Sequence, residues 1–265
     1  MLELYHGGHT TCSRKARLCL HEKSLPYKSH FLNLRAFDQH APEYVALNPN
    51  GVVPTLVDDG VPVIDSMLIN EYLDETYEDI RLRPRTPIEK ARMRVWTKLA
   101  ADHGLAAVVP RIWPTFKAHT DKLAPDELEQ KIARVPLKER RDRWTKVVRS
   151  GFGARDNDAG HDAAKLIVGS METRFGNGPW LMGEQYTLAD IDLIPFVDRI
   201  TPALTTVHGD HYQLGWTAAE MLLKSLTLPA GQRDVRHIVI PVTFVARAST
   251  GPAPKRGKKR RGKRD

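Results

Sequence analysis

Apolar and polar residues change rhythm along this chain, and the change separates two kinds of domain. Leu2 and Leu4 alternate with polar neighbours, the period of a short strand. A turn rich in glycine and threonine leads into residues 13–23, where Ala16, Cys19 and Leu20 share one helical face. The pattern predicts a second short strand over 31–34, a brief helix over 42–47, and a hairpin over 55–64 that turns at Asp59-Gly60. Pro62 has no N–H to give to a ladder, which places the last strand at the sheet edge. Leu68, Ile69, Tyr72 and Leu73 mark a third helix. The order βαβαββα predicts a small mixed sheet covered by helices over residues 1–80.

Residues 81–88 are polar and interrupted by Pro84 and Pro87, the composition of a linker. After it the strand signals vanish. Helical periodicity over 87–107, 125–149 and 159–175 predicts an all-α domain spanning 89–225. Near its end, Thr187-Leu188-Ala189-Asp190 has the spacing of a capping box. Thr187 would accept the Asp190 amide, Asp190 would reach back, and Tyr186 would staple onto Ile191. This is a folding signal.

Composition narrows the class. The chain of 265 residues is 27% charged and 41% hydrophobic, the balance of a globular protein with one or two domains. No run approaches the roughly 18 apolar residues of a membrane span. The start, MLELYHGG, lacks the regions of a signal peptide, so a cytoplasmic address is expected. Cys12 and Cys19 lie seven residues apart on the first helix, about 10 Å of rise, too far for a disulfide. The net charge is +8, but the last eleven residues, KRGKKRRGKRD, hold +7 of it. Residues 1–254 are therefore close to neutral. The block follows Gly251-Pro252-Ala253-Pro254 and reads as a disordered tail with no dedicated partner, counterion-release binding to nucleic acid or an acidic membrane being the alternative.

Three local features carry chemistry. Residues 7–13, Gly-Gly-His-Thr-Thr-Cys-Ser, place hydroxyls and a thiol where a strand ends and a helix begins. Amides and the positive helix end converge there on an anion or thiolate. In Asn48-Pro49-Asn50-Gly51-Val52-Val53-Pro54, a cis bond before Pro54 would let Val53 offer its backbone to an extended ligand. Asp65-Ser66 opens the third helix with an acid, a hydroxyl and free amides, a seat for an α-amino-acid end. Other constellations fail. His6-x-x-His9 and His208-x-Asp210-His211 have no obvious third ligand, so no metal is expected, and with no P-loop and only Gly151-x-Gly153 no nucleotide is expected either.

In that order the three features resemble the glutathione transferase family. The likeness runs through Asn48-Pro49-x-Gly51-x-Val53-Pro54-x-Leu56 and Asp65-Ser66-x-x-Ile69-x-x-Tyr72-Leu73 and reaches the Thr187–Asp190 box. Three stretches are similar to the bacterial lignin β-etherases: Phe37-Asp38-Gln39-His40, Met93-Arg94-Val95-Trp96-Thr97-Lys98, and Pro136-Leu137 leading to Trp144 and Gly151-Phe152. The resemblance implies a thioredoxin-like α/β domain followed by an all-α domain, a homodimer, and glutathione as co-substrate. It implies that Val53 and Pro54 pair with the cysteinyl unit, Asp65 and Ser66 hold the γ-glutamyl end, and Gln39 and His40 lie near the glycyl carboxylate.

Ser13 falls where the β-etherase serine lies and Cys12 where the cysteine of beta-class transferases lies. A hydroxyl would leave glutathione's sulfur free to attack carbon, giving conjugation or β-aryl ether cleavage. A cysteine would form a mixed disulfide, giving thiol transfer. Ser13 is favoured, with Cys12 the alternative. A small aromatic electrophile would sit between the domains, walled by Trp96, His103, Trp113, Phe116 and Trp144. The chain departs from the family pattern twice. Asp65 replaces the more usual glutamate, and after about residue 205 the helices expected of a transferase give way to a β-branched stretch over 235–246, so 226–265 reads as a divergent, basic tail. A non-catalytic glutathione-fold module tethered to nucleic acid by that tail is the remaining alternative.

Overall fold

In a computed structural model of the chain, the structure describes residues 1–175, 178–200, 206–209 and 242–245. They fall into two units, 1–200 and 201–265. The first opens with β1 (Leu2–His6), α1 (Thr11–Glu22), β2 (Lys28–Phe31), α2 (Pro42–Leu47), β3 (Thr55–Asp58), β4 (Val61–Ile64) and α3 (Ser66–Thr76). Leu2, Leu4 and His6 of β1 are buried while Glu3 and Tyr5 are half-buried, the alternation that sets a strand over a core. The sheet order is β2-β1-β3-β4, with β1 parallel to β2 and the other pairs antiparallel. The hairpin turns on Asp59 and Gly60, both at positive φ, as a two-residue loop requires. Pro62 lies on edge strand β4 opposite Val57.

The second strand is displaced from its expected place. It covers 28–31, because Asp38 Oδ2 accepts the Asn33 N–H (2.8 Å) and Asn33 Oδ1 accepts that of Arg35 (3.1 Å), turning 33–38 out of the sheet.

The helical layer comprises α4 (Pro87–Thr120), α5 (Pro125–Ala133), α6 (Lys138–Ser150), α7 (Ala154–Phe175) and α8 (Leu188–Ile200). Where periodicity predicts an end at 107, α4 runs on through Pro110 and Pro114 to Thr120, whose side chain is buried again. The expected helix over 125–149 is two helices, parted around buried Val135 and Pro136, which has no amide to continue the ladder. Close helix approach depends on two glycines. A Cβ on Gly104 would meet the Phe196 ring at 2.6 Å, and one on Gly160 would meet the Ala106 carbonyl oxygen at 2.9 Å.

The 81–88 segment is held rather than loose. Asp74, fully buried, accepts from Lys23 Nζ at 2.9 Å and from the Leu82 N–H at 2.7 Å, and its other oxygen lies 3.3 Å from Arg83 Nε. The Leu82 carbonyl accepts the Leu188 N–H at 2.9 Å, joining the segment to α8. At the start of α8, Asp190 reaches back to the Thr187 N–H (2.9 Å) as the box predicts. The Thr187 hydroxyl accepts from Ala189 rather than Asp190, and Tyr186 lies edge-on to Trp180.

In the second unit β5 (Thr206–Gly209) pairs antiparallel with β6 (Val242–Val245). The basic block over 255–265, with His211 and Asp210, lies outside the described residues. Among the described residues no helix is long and apolar enough to cross a membrane, and no group of three or more His, Cys, Asp or Glu side chains could hold a metal ion.

Candidate active site

The strand-to-helix turn after β1 brings together the hydroxyls singled out by the sequence. The Thr10 N–H donates to the Gly7 carbonyl at 3.0 Å, and Thr10 then caps α1 with extended backbone. Its side chain makes no capping bond; instead the Thr10 hydroxyl donates to Ser13 Oγ at 2.7 Å. Ser13 Oγ also accepts the Gly7 N–H at 3.2 Å. Ser13 is fully buried, whereas Thr10 is half-buried, so Thr10 carries the hydroxyl that reaches the surface. Sequence reading includes Thr10 among the hydroxyls of residues 7–13 but gives it no separate role. Its position as the last residue before the helix was the available signal.

Cys12 is half-buried at the first turn of α1. Burial pushes its thiol up from the ordinary value, against a smaller lowering by Lys15 and Ser66. The thiol form is therefore favoured at neutral pH. Lys15 itself is buried 3.4 Å from buried Asp192, and Asn70 Nδ2 donates to the same carboxylate at 2.8 Å. Burial pushes Asp192 up to about 6, with Lys15 opposing it.

The Val53–Pro54 peptide bond is cis, and among the described residues the Val53 backbone has no backbone partner. A buried polar bracket shapes this loop. Tyr44 Oη and Asn48 Nδ2 both donate to the Val52 carbonyl, at 2.5 and 2.8 Å, and Asn48 also donates to Thr55 Oγ1 at 3.0 Å. Asp65 caps α3 at φ 71°, ψ 126°, a backbone that L-residues rarely adopt. Its Oδ1 accepts the Met67 and Leu68 amides at 2.8 and 3.4 Å. Asp65 is exposed and Ser66 buried.

Gln39 and His40 are buried in a single 3-10 turn that follows Phe37 at positive φ. Burial lowers His40 to about 4, leaving it neutral near pH 7. Among the described residues, Gln39 Oε1 and His40 Nδ1 have no hydrogen-bond partner.

The five residues proposed as an aromatic wall divide in two. Trp113, Phe116 and Trp144 form one cluster with Phe37 and Phe152, ring centroids lying 4.8–6.2 Å apart. Through Phe37 this cluster meets the first domain beside His40, 5.7 Å from its ring. Trp96 and His103 are elsewhere: with Val95, Lys98, Leu99, Asp102 and Ser170 they line a groove of ≈ 330 Å³ between α4 and α7. The helix phase carried this separation, since 20 residues from Trp96 to Phe116 turn α4 by about 200° beyond whole turns.

A four-stranded mixed sheet with a cis-proline loop and a hydroxyl-capped first helix, followed by an all-α layer, defines a thioredoxin-like domain joined to a helical one. Residues 10–76 match the glutathione S-transferase N-terminal domain family. The chain is 32% identical over 194 residues to Protein LigF of Sphingobium sp., covering 72% of this chain and 75% of that protein. The crystal structure described as beta-etherase LigF superposes with a TM-score of 0.70 at 31% identity, covering 74% of this chain and 82% of that one. Maleylacetoacetate isomerases are also similar. The mouse protein is 28% identical over 73% of this chain and 76% of its own. That of Methylobacterium extorquens AM1, solved with bound malonate and GSH, is 29% identical with a TM-score of 0.51, covering 73% of this chain and 79% of that one. The chain belongs to the glutathione S-transferase family.

Proposed function

We propose that this transferase uses glutathione to displace an aryloxide from an aromatic ether, releasing a phenol. The observation that carries the reading is the Thr10–Ser13 hydroxyl pair at the start of α1, beside a Cys12 whose burial favours the thiol. A hydrogen bond between two hydroxyls can run either way. With Ser13 anchored by the Gly7 N–H, it can donate to Thr10, and the half-exposed Thr10 hydroxyl then turns its proton toward a bound sulfur. Such a chain strengthens its terminal donor. With the helix end it favours thiolate over thiol, whose unperturbed pKa is about 8.5. Thr10 is the contacting residue in this reading and Ser13 its support.

The thiolate attacks the carbon bearing the aryloxy group. A C–S bond forms, the C–O bond breaks, and the aryloxide leaves with the electron pair and takes up the proton that the thiol lost. No oxidant or reductant is needed. Val53 and Pro54 serve the cysteinyl unit, Asp65 and Ser66 the γ-glutamyl end, and Gln39 with His40 the glycyl end. The Trp113, Phe116 and Trp144 cluster supplies the aryl face. The 32% identity to LigF supports the ether class. Homodimer formation and a cytoplasmic address belong to the same reading, and exposed Val61, Leu68 and Val95 supply apolar surface for a partner copy.

The test offers glutathione with a β-aryl ether ketone and, separately, a mixed disulfide, to wild type, Thr10→Val and Cys12→Ala. Phenol release lost in Thr10→Val and kept in Cys12→Ala supports the reading. Disulfide turnover lost only in Cys12→Ala would replace it with thiol transfer. Binding of glutathione with no turnover of either would leave a non-catalytic module, and loss of nucleic-acid retention on removing 255–265 would then identify the tail as its tether.

A further inference from the structure

The turn that carries Thr10 into the site has little stiffness of its own. Gly7 and Gly8 are consecutive and lack Cβ atoms, Gly8 lies at φ 53°, and the His9 side chain is exposed. Hydrogen bonds hold the turn instead. The Gly8 N–H donates to His6 Nδ1 at 3.2 Å, and Nη2 of Arg199, on α8, donates to the His9 carbonyl at 2.6 Å.

The Arg199 contact has a particular consequence for Thr10. The His9 carbonyl and the Thr10 N–H belong to one planar peptide unit. The N–H end is held by the Gly7 carbonyl at 3.0 Å and the carbonyl end by Arg199, so the plane is fixed from both sides. The next peptide unit is held as well, because the Thr10 carbonyl accepts the Arg14 N–H at 3.0 Å. With both planes fixed, the Thr10 backbone is set at φ −65°, ψ 142°, and its side chain leaves the chain in one direction. Among the described residues, Arg199 is the one holder of these planes that comes from outside the strand, turn and first helix.

Helix α8 presents Arg199 on a face that also grips α1. Asp192, Phe196 and Arg199 follow one another at spacings of four and three, which puts them on one side of the helix. Asp192 lies 3.4 Å from Lys15 Nζ, and Lys15 lies over the Phe196 ring, 5.9 Å from its centroid. Asp198, next to Arg199, accepts from Arg14 at 2.5 Å. The helix is thus anchored on α1, and its contact with the turn is a charge-assisted bond from guanidinium to carbonyl.

We propose that Arg199 is a positioning residue for the sulfur-activating hydroxyl: it orients Thr10 through the His9–Thr10 peptide, so that the helical domain sets the ionisation of glutathione's thiol in the first domain. This assignment rests on the glutathione reading above. Arg199 acts through Thr10 and contacts neither glutathione nor the electrophile. Removing its contact frees the two-glycine turn, and Thr10 then meets the sulfur in only part of its conformations. A misplaced donor loses much of its effect on a developing charge, so the loss falls on thiolate formation rather than on binding of the tripeptide.

The test reads the ultraviolet absorbance of the bound thiolate against pH in wild type, Arg199→Met, Arg199→Lys and Asp198→Asn, and repeats Arg199→Met in the Thr10→Val background. Calorimetry with S-methylglutathione, whose sulfur cannot ionise, measures binding apart from ionisation. In Arg199→Met the bound thiol should ionise about 0.5–1 unit higher than in wild type, and kcat/KM for the ether should fall about tenfold. S-methylglutathione should bind within about twofold of wild type. Arg199→Lys keeps a cationic donor and should recover part of the loss. Asp198→Asn removes the neighbouring tie between α8 and α1 and should ionise as wild type does. In the Thr10→Val background, Arg199→Met should change nothing further. If Arg199→Met does not fold, Arg199→Gln, shorter and uncharged, replaces it under the same criteria. Unchanged ionisation in Arg199→Met, an equal shift in Asp198→Asn, or a shift of full size in the Thr10→Val background overturns the assignment, the last because the guanidinium charge would then act directly. A parallel loss of S-methylglutathione binding also overturns it, since the role would be structural support of the whole site. Wild type that binds no glutathione, or Thr10→Val with wild-type ionisation, overturns the Thr10 reading and this one with it. A depressed wild-type value that rises in Thr10→Val and stays depressed in Arg199→Met overturns this one alone.

Discussion

The Thr10 hydroxyl donates to Ser13 Oγ across 2.7 Å at the first turn of α1, and the same oxygen accepts the Gly7 N–H at 3.2 Å. One member of the pair is fully buried and the other reaches the surface, so the two substitutions should separate activity from stability. Thr10→Val keeps the shape and removes the outer hydroxyl. It should lower kcat/KM for the ether by about 100-fold with little change in denaturant midpoint. Ser13→Ala strands a buried N–H and should cost about 1–3 kcal/mol in chemical unfolding, with a smaller loss of activity. Ser13→Ala abolishing turnover while Thr10→Val retained it would move the sulfur contact back to Ser13.

Cys12 is beside the site yet held as a thiol by burial. Cys12→Ala should therefore keep ether cleavage within about threefold, since neither the hydroxyl pair nor the helix end is disturbed. Cys12 should also react slowly with iodoacetamide at pH 7. Rapid alkylation, read by mass spectrometry, would contradict the protonated state.

Aromatic residues on α4 and α6 should behave according to which cluster they join. Trp144→Leu, in the cluster that meets Phe37, should lower kcat/KM for an aryl substrate by about tenfold or more, the equivalent of losing one ring contact and its burial. Trp96→Leu, in the α4/α7 groove, should leave that value within about twofold. Steady-state kinetics on the two variants decide the matter, and equal losses would mean that the electrophile is not held by the Phe37 cluster.

Two buried groups act on stability in opposite directions as pH falls. His40 is lowered to about 4 in the fold, so between pH 6.5 and 4 the unfolded chain binds the extra proton and the native state loses stability on acidification. Asp192 is raised to about 6, so between pH 6 and 3.8 the native state holds more protons and gains stability on acidification. His40→Gln removes the first effect and leaves the second. Relative to wild type, it should gain about 1–3 kcal/mol between pH 7 and pH 4 in urea unfolding. Parallel pH curves for the two proteins would contradict a neutral buried His40.

The first domain was legible because its signals are local. Asp59-Gly60 specifies a two-residue turn, Pro62 admits only an edge strand, and the short hydroxyl-rich run after β1 marks a helix start. The second strand was misplaced because side-chain acceptors on Asn33 and Asp38, five residues apart, bend the chain before Leu34. In the helical layer the long-range term decides. Phe196 packs on Gly104, and α4 continues through Pro110 and Pro114 beyond the point where its apolar periodicity fades. Within the site, Ser13 and Thr10 differ in burial, which sequence does not display.

The central claim is that a hydroxyl at the start of α1 makes glutathione's sulfur a thiolate. The direct measurement is the ultraviolet absorbance of the thiolate of bound glutathione as a function of pH, in wild type and Thr10→Val. The bound thiol should ionise about 1–2 units below the ordinary value near 8.5 in wild type and return most of the way in Thr10→Val. A bound thiol that ionises at its ordinary value in wild type, or at the same depressed value in both proteins, would contradict the claim.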